Sequence, residues 1–429
     1  MDNTRVVITG MGVVAPNGTG LADFEAALKA GKSGIRFLPE MERLNFGCQV
    51  GGVPEVSEEL RQRYFSAILL SKLKAEGIVY GVVAAAEAWQ SAGLPIPDRG
   101  TEQPDWVSGA IFGAGMAAPQ AIRSAVYNID EGKAKRLGGT SVQQTMASGV
   151  SAYIGGLLGL GNQVTTNASA CTTGTEAIVQ GYDRIKAGKA QRMLCGGTDS
   201  ASPYLWGGFD AMRVLNRRSN DQPEAASRPL SASAKGFVPG GGAGAVLLES
   251  LSSARARNAP ILAEVIGGYI NSGGQRNGGS MTAPNQEGIA RCIAGALTDA
   301  AISGQKVDAI SGHLTATMLD PLEVEWWART LDRKGEYFPY LHAMKSMTGH
   351  CLSASGAIEA VAAVLQLGGQ YVPPNLNCED LHPQVSAWVG ASRIPRQLLA
   401  TELNIIASSS FGFGDTNSVL LLQRFTPDE

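Results

Sequence analysis

The stretch that decides the fold is TTNASACTTGTEAI, residues 165–178. It starts at the end of a strand-like run and passes through small residues into a helical pattern. Ile178, Tyr182 and Ile185 fall on one face of that helix, at i, i+4 and i+7, and Ala187-Gly188 marks its end. Cys171 therefore stands at the first turn. Unpaired N–H groups and the helix dipole gather there, which favours a thiolate over a thiol and offers donors to an oxyanion. Gly174 and Gly181 are unfavourable in an isolated helix, so they are expected where another element packs close. An inert core thiol has the same small-residue surroundings. Nucleophile and structural cysteine both stand at this level.

Outward from that helix, short apolar runs alternate with helical stretches, the α/β pattern. Strands are expected at 6–14, 107–112, 162–168, 193–198 and 244–249, then at 262–270, 309–313, 340–343, 405–410 and 418–424. Helices are expected at 80–92, 172–187, 286–301, 323–331 and 352–367. Each half of the chain carries a helix after a loop with a reactive-looking residue, Cys171 in one and His350 in the other. Each half closes on a glycine-rich segment that runs into an apolar strand: GFVPGGGAGAVLLES (236–250) and SFGFGDTNSVLLLQRF (410–425). This echo suggests a duplicated fold of two halves, 1–255 and 256–429, with the polar SSARARNAP as its bridge. LNRRSNDQPEAASRP (215–229) reads as an exposed polar loop.

The bulk composition narrows the class. The chain has 429 residues, 44% hydrophobic and 17% charged, with net charge -3; its pI is about 5.9. Such a chain is globular and well buried, and it lacks the basic balance of a nucleic-acid-binding protein. Six cysteines without a close CxxC pair argue for free thiols, not a disulfide framework or a zinc site. MDNTRVVITG goes directly into a strand-like run, unlike a leader peptide, and no run is expected to reach the ~18 apolar residues of a membrane span. A cytoplasmic protein with no membrane partner is expected.

Only four histidines are present. His313, in SGHLTATMLDPLE, sits at the C-terminal end of a strand-like run, where α/β sites lie. Asp320, Pro321 and Glu323 read as the N-cap, first position and capping-box acid of the next helix. His350, in KSMTGHCLSASGAIEA, precedes a helix whose N-terminus disfavours an imidazolium, so it is expected to be neutral. Lys345 and Glu359 flank it; buried, they would hold the loop and set its field, and exposed, they would make a minor surface contact. His342 and His382 have no supporting context, and the histidines are spaced too irregularly for a metal site.

Cys171, His313 and His350 together resemble the condensing triad of the β-ketoacyl-[acyl carrier protein] synthases. The resemblance runs nearly the whole chain, through VVITGMGVVAPNG, TMASGVSA, SACTTGTEAI, GGTDS, EAASRP, KGFVPGGGAGAVLLE, KSMTGHCLSASGAIEA and SFGFGDTNSVLL, in family order and spacing. It implies the thiolase fold, two similar halves stacked as αβαβα, and usually a dimer. It implies that Cys171 carries the acyl group, with the N–H groups of Cys171 and Phe413 as oxyanion hole. His313 and His350 would hold the malonyl thioester oxygen during decarboxylation. Lys345 matches the motif lysine and Glu359 the structural acid. Thr315 and Thr317 match the threonines that hold the pantetheine arm. Phe411 and Phe413 match the phenylalanines that gate the acyl pocket, and Met116 a residue lining the acyl tunnel. No metal or redox cofactor is implied; substrates would arrive on the phosphopantetheine arm of an acyl carrier protein. Lys72, Lys74, Arg213 and Arg217 fall in the carrier-docking segments.

Two departures stand out. Leu314 replaces the family's glycine after the first histidine, which implies a reshaped loop, since leucine cannot use positive φ cheaply. Asp415 replaces a glycine in GFGDTN. Both fit a pathway-specific relative making a polyene or other specialised chain. The alternatives are a chain-length-factor-like partner in a ketosynthase heterodimer, or a thiolase-like coenzyme A acyltransferase. The first usually lacks the cysteine; the second typically uses a second cysteine as base.

Overall fold

In the computed structural model, residues 4–98, 100 and 103–427 are described. Ten strands carry the architecture. β1 (Val6–Ala15), β2 (Ser108–Ala114), β3 (Val164–Thr165), β4 (Arg192–Asp199) and β5 (Gly242–Ser250) belong to the first half. β6 (Ala263–Ser272), β7 (Ala309–Ser311), β8 (Tyr340–His342), β9 (Ile405–Gly412) and β10 (Thr416–Gln423) belong to the second. The first set is ordered β3-β2-β4-β5-β1 and the second β8-β7-β9-β10-β6, so the halves share one topology. The senses agree as well. β2 is parallel to β3 and β4, and β7 to β8 and β9. β5 lies antiparallel between β4 and β1, and β10 between β9 and β6. β1 also pairs with β6 through Val6–Ile8, joining the two sheets at one corner.

Seven helices complete the layers: α1 (Glu76–Ser91), α2 (Pro119–Asp130), α3 (Gly149–Leu158), α4 (Thr173–Lys186), α5 (Gln286–Asp299), α6 (Asp320–Leu331) and α7 (Ser355–Gly369). α4 and α7 lie between the sheets, each touching strands of both. α1 and α3 cover the outer face of the first sheet; α5, with α6 beside it, covers the second. The result is the five-layered αβαβα stack of a thiolase fold. The central core joins Val246 and Leu248 of β5, Ile178 of α4, Ile358 and Val361 of α7, and Leu420 of β10. Strands buried on both faces need near-continuous apolar runs, which is what β1 and β5 supply.

The central helices cross at glycines. A Cβ on Gly174 would sit 2.7 Å from the main-chain nitrogen of Ala357, and one on Gly356 2.0 Å from Thr175 Oγ1. Gly181 likewise leaves room for Cys195 Sγ. The close packing expected around α4 is therefore real and is what brings α7 against it.

Three expectations change. The strand at 162–168 shrinks to Val164–Thr165, because Asn167 turns its amide to the Thr173 carbonyl, 3.0 Å away. The 215–229 loop is anchored at both ends: Leu215, Asn216, Ala226 and Ser227 are buried, and Ser227 Oγ donates to the Lys345 carbonyl at 2.6 Å. Finally, Leu352–Gly369 does reach membrane-spanning length and hydropathy. It is the central α7 with its lead-in turn, and 83% of that window is buried in protein, so its apolarity belongs to the core.

Candidate active site

Cys171 lies in a single 3-10 turn, Ala170–Thr172, that feeds α4. The two following threonines build this turn. Thr172 Oγ1 donates to the Ser169 carbonyl (2.6 Å), and Thr173 Oγ1 accepts from Ser169 N–H (2.8 Å) while donating to the Ala170 carbonyl (2.7 Å). Ala170 is driven to φ 48, a left-handed conformation costly for an alanine. Such strain concentrates at functional turns. Gly412 packs over the turn: a Cβ there would lie 3.1 Å from Cys171 N.

The electrostatics correct the expected thiolate. The side chain is buried, and desolvation pushes the Cys171 thiol up to about 11, against the opposing pull of the Phe413 N–H and the Lys345 charge. At neutral pH the resting group is a thiol. Burial is the largest influence on the sulfur, and it favours the thiol.

His350 Nε2 lies 3.1 Å from Cys171 Sγ. Its Nδ1 accepts the Leu352 N–H at 3.2 Å and lies 3.0 Å from Ser355 Oγ. An Nδ1 that accepts a main-chain N–H cannot carry the proton, so the network assigns the hydrogen to Nε2, facing the sulfur. Phe237 packs edge-on against this ring, centroids 5.3 Å apart. Burial first, then the Lys345 charge, holds His350 well below the ordinary imidazole range. The neutral histidine expected at this position is present, although desolvation is the larger cause.

His313 meets His350 at right angles, centroids 5.3 Å apart. It too is held far below the usual range by burial, with Lys345 and His350 adding to the effect. Its Nδ1 has no hydrogen-bond partner among the described residues. Lys345 and Glu359, 2% and 1% exposed, form an ion pair behind both rings. Burial raises the Glu359 carboxyl, with Lys345 acting against it.

The acids after His313 do something other than cap. α6 starts at Asp320 itself, with Leu319 as its flanking residue. The Asp320 carboxylate accepts from the N–H groups of Leu230, Thr315, Ala316 and Thr317. Glu323 accepts from His313 N–H (2.7 Å), Leu314 N–H (2.9 Å) and Ser409 Oγ (3.0 Å). Burial raises Glu323 to about 7 despite these donors. The two acids shape the histidine loop from the helix side. Leu314 takes no positive φ; Ala316, at φ 63, does. Leu314 is fully buried in the outer core with Ile310 and Val324, so the departure at 314 is a packing change.

A mainly apolar cavity of about 330 Å³ opens above these groups. Cys171, His313 and His350 stand on its wall with Thr315, Thr317, Phe411 and Phe413. Phe209, Val214 and Phe237 complete one side, and Thr282–Pro284 another. Phe209, Phe237 and Ser355 carry little signal in the sequence beyond Phe237's place in the glycine-rich KGFVPGGG. Met116 is not on this wall. It is 37% exposed beside α2, and its N–H donates to buried Asp199 (2.7 Å). Arg213 and Arg217 are exposed in the segment that supplies Val214, with Arg217 3.7 Å from Asp210. Lys72 and Lys74 are exposed elsewhere, Lys74 Nζ bonding Ser124 Oγ.

A duplicated αβαβα stack with a thiol and two neutral imidazoles at one cavity defines an acyl-transferring enzyme of the thiolase fold. Solved structures agree. A β-ketoacyl synthase from Burkholderia phymatum matches with TM-score 0.88 and 28% identity, over 99% of this chain and 100% of that one. A ketosynthase in complex with its type II PKS acyl-carrier protein matches with TM-score 0.86 and 27% identity, over 99% and 100%. The family models for the N-terminal and C-terminal domains of beta-ketoacyl synthase match residues 3–254 and 262–379. Coxiella burnetii 3-oxoacyl-[acyl-carrier-protein] synthase 2 is 34% identical over 99% of both chains. Escherichia coli 3-oxoacyl-[acyl-carrier-protein] synthase 1 is 32% identical over 98% of this chain and 99% of that one. This chain belongs to the β-ketoacyl synthase family.

Proposed function

We propose that this enzyme is a 3-oxoacyl-[acyl carrier protein] synthase that extends an acyl group held on Cys171. The observation that carries the reading is the 3.1 Å contact of Cys171 Sγ with His350 Nε2, with His313 beside it on one apolar cavity wall. In the first step Cys171 sulfur attacks the acyl-carrier thioester. A new C–S bond forms, the carrier thiolate leaves, and the thiol proton passes to it directly or through water. The N–H groups of Cys171 and Phe413 hold the oxyanion. In the second step a malonyl-carrier loses carbon dioxide. Its C–C electron pair becomes an enolate whose oxygen takes hydrogen bonds from His313 and His350. That carbon attacks the acyl carbonyl, a C–C bond forms, and Cys171 leaves as a thiolate to be reprotonated.

Neutral imidazoles suit this scheme. They donate hydrogen bonds to an enolate oxygen without supplying a proton that would quench it. Burial sets that neutrality and the Lys345 charge adds to it, with Glu359 as counter-charge. Every step as written draws on no metal or redox cofactor. We read Thr315 and Thr317 as holding the pantetheine arm, and Arg213 and Arg217, near the mouth, as the stronger docking cations for an acidic carrier.

We further propose a homodimer in the cytoplasm. Ile122, Val126 and Ile129 lie on one side of α2 and are 39%, 51% and 55% exposed, and β3 ends its sheet with a free edge. Exposed apolar faces of this kind mark protein contacts. Met116, 37% exposed three residues before α2, would be reached by a second copy only if that copy covers the start of the helix.

Mass spectrometry after incubation with acyl-carrier thioester tests the reading. Cys171 gains the acyl mass; a folded protein that stays unacylated overturns it. His313→Ala is expected to acylate yet release little carbon dioxide from malonyl-carrier. The reverse result would reassign the histidine.

A further inference from the structure

Asp415 departs from the family's glycine in GFGDTN, and the structure gives it more than a local part. It follows the wall residues Phe411–Phe413, is fully buried, and takes φ 62. No cation contacts its carboxylate among the described residues. Instead Oδ2 accepts the N–H of Gln275 (2.8 Å) and Oδ1 the N–H of Asn285 (2.7 Å). Its carbonyl accepts the Gly273 N–H (2.9 Å), and the neighbouring Gly414 N–H reaches the Met281 carbonyl (2.8 Å). Segment 273–285 is thus tied at four points to the turn that carries Phe413. That segment holds glycines at 273, 274, 278 and 279, so it has little stiffness of its own. Its far end, Thr282–Pro284, is a second wall of the same cavity. Asn285 then caps α5, accepting the Glu287 and Gly288 N–H groups.

We propose that Asp415 is a positioning residue that clamps the 282–284 wall to the Phe411–Phe413 wall and so sets which acyl chains the cavity accepts. The proposal rests on the acyl-transfer reading above. A glycine at 415 would suit the left-handed backbone better, since aspartate only tolerates it. The carboxylate is retained at a strained position and answers the N–H of Gln275 together with that of buried Asn285, which would otherwise be buried without a partner. Losing it frees the glycine-rich segment, and the wall it carries, without touching Cys171 or either histidine.

The test uses the full chain with Asp415→Gly and Asp415→Asn. Glycine removes the clamp while easing the backbone; asparagine keeps the shape but turns one acceptor into a donor facing an N–H. Backbone amide exchange is expected to speed up at 275–285 in both. Cys171 acylation is then timed with hexanoyl- and dodecanoyl-carrier thioesters. The dodecanoyl-to-hexanoyl rate ratio is expected to rise about tenfold in Asp415→Gly, the scale that a few methylenes carry in an apolar pocket. Equal slowing of both donors, or an unchanged ratio with faster exchange, overturns the proposal and leaves Asp415 as a folding residue. Wild-type protein that acylates with neither donor would instead count against the function proposed above, while the exchange result still reports on the clamp.

Discussion

The thiol, two neutral imidazoles and a buried ammonium occupy one small volume, and each alters its neighbours. A thiol pushed up to about 11 by burial is protonated at neutral pH. The thiolate fraction, and with it the reaction with iodoacetamide, should climb about tenfold per pH unit from neutrality until the pH nears that value. Stopped labelling with mass detection at Cys171 checks this; a rate that levels off near neutral pH would mean a preformed thiolate. The Lys345–Glu359 pair makes a second expectation. Lys345→Met leaves a carboxylate in the interior without its partner and should destabilise the fold by about 3–5 kcal/mol in denaturant titration. Lys345→Met with Glu359→Leu should recover most of that loss while the histidines titrate closer to their ordinary range. A double variant no more stable than the single one would show that the pair contributes more than mutual neutralisation.

Elements place these residues, and here the sequence was legible in part. Helix periodicity around Ile178, Tyr182 and Ile185 located α4, and the helix expected at 352–367 after His350 is α7. The crossing of those helices was hinted at by Gly174, whereas Gly181 admits Cys195 of β4; the partner glycine, Gly356, could be matched only in three dimensions. The Asp320–Glu323 spacing was read as a helix cap because local sequence carries capping signals; the acids are instead taken by loop N–H groups brought in by the fold. In the same way the helix-start position of Cys171 was visible, while the desolvation that outweighs it was not. Gly174→Ala is expected to cost about 1–3 kcal/mol through overpacking against Ala357 and to weaken acylation as the sulfur shifts from His350. Thermal unfolding alongside acylation kinetics measures both; an unaltered variant would mean that the crossing has slack.

At the scale of the molecule, the proposed nucleophile comes from one half and both histidines from the other, so the site exists only when the halves are docked. Loss of acylation and global unfolding should therefore share one transition. The proposed dimer adds a surface expectation. Val126→Lys, in the middle of the exposed α2 face, should shift sedimentation from dimer to monomer; an unchanged dimer would move the interface elsewhere.

The repeat is not quite even, and the unevenness has a consequence. Ala170 at φ 48 opens the turn before α4, and Leu352 at φ 52 opens the matching turn before α7. The residue that follows is Cys171 in one half and Ser353 in the other. Ser353 spends its hydroxyl on the Ala170 carbonyl, 3.3 Å away, and its N–H on Asp199. One strained turn thus presents a reactive atom, and its twin braces that turn from behind. Within a doubled architecture, labour is divided at a single heavy atom: sulfur where the acyl chemistry is proposed, oxygen where the other copy is held still.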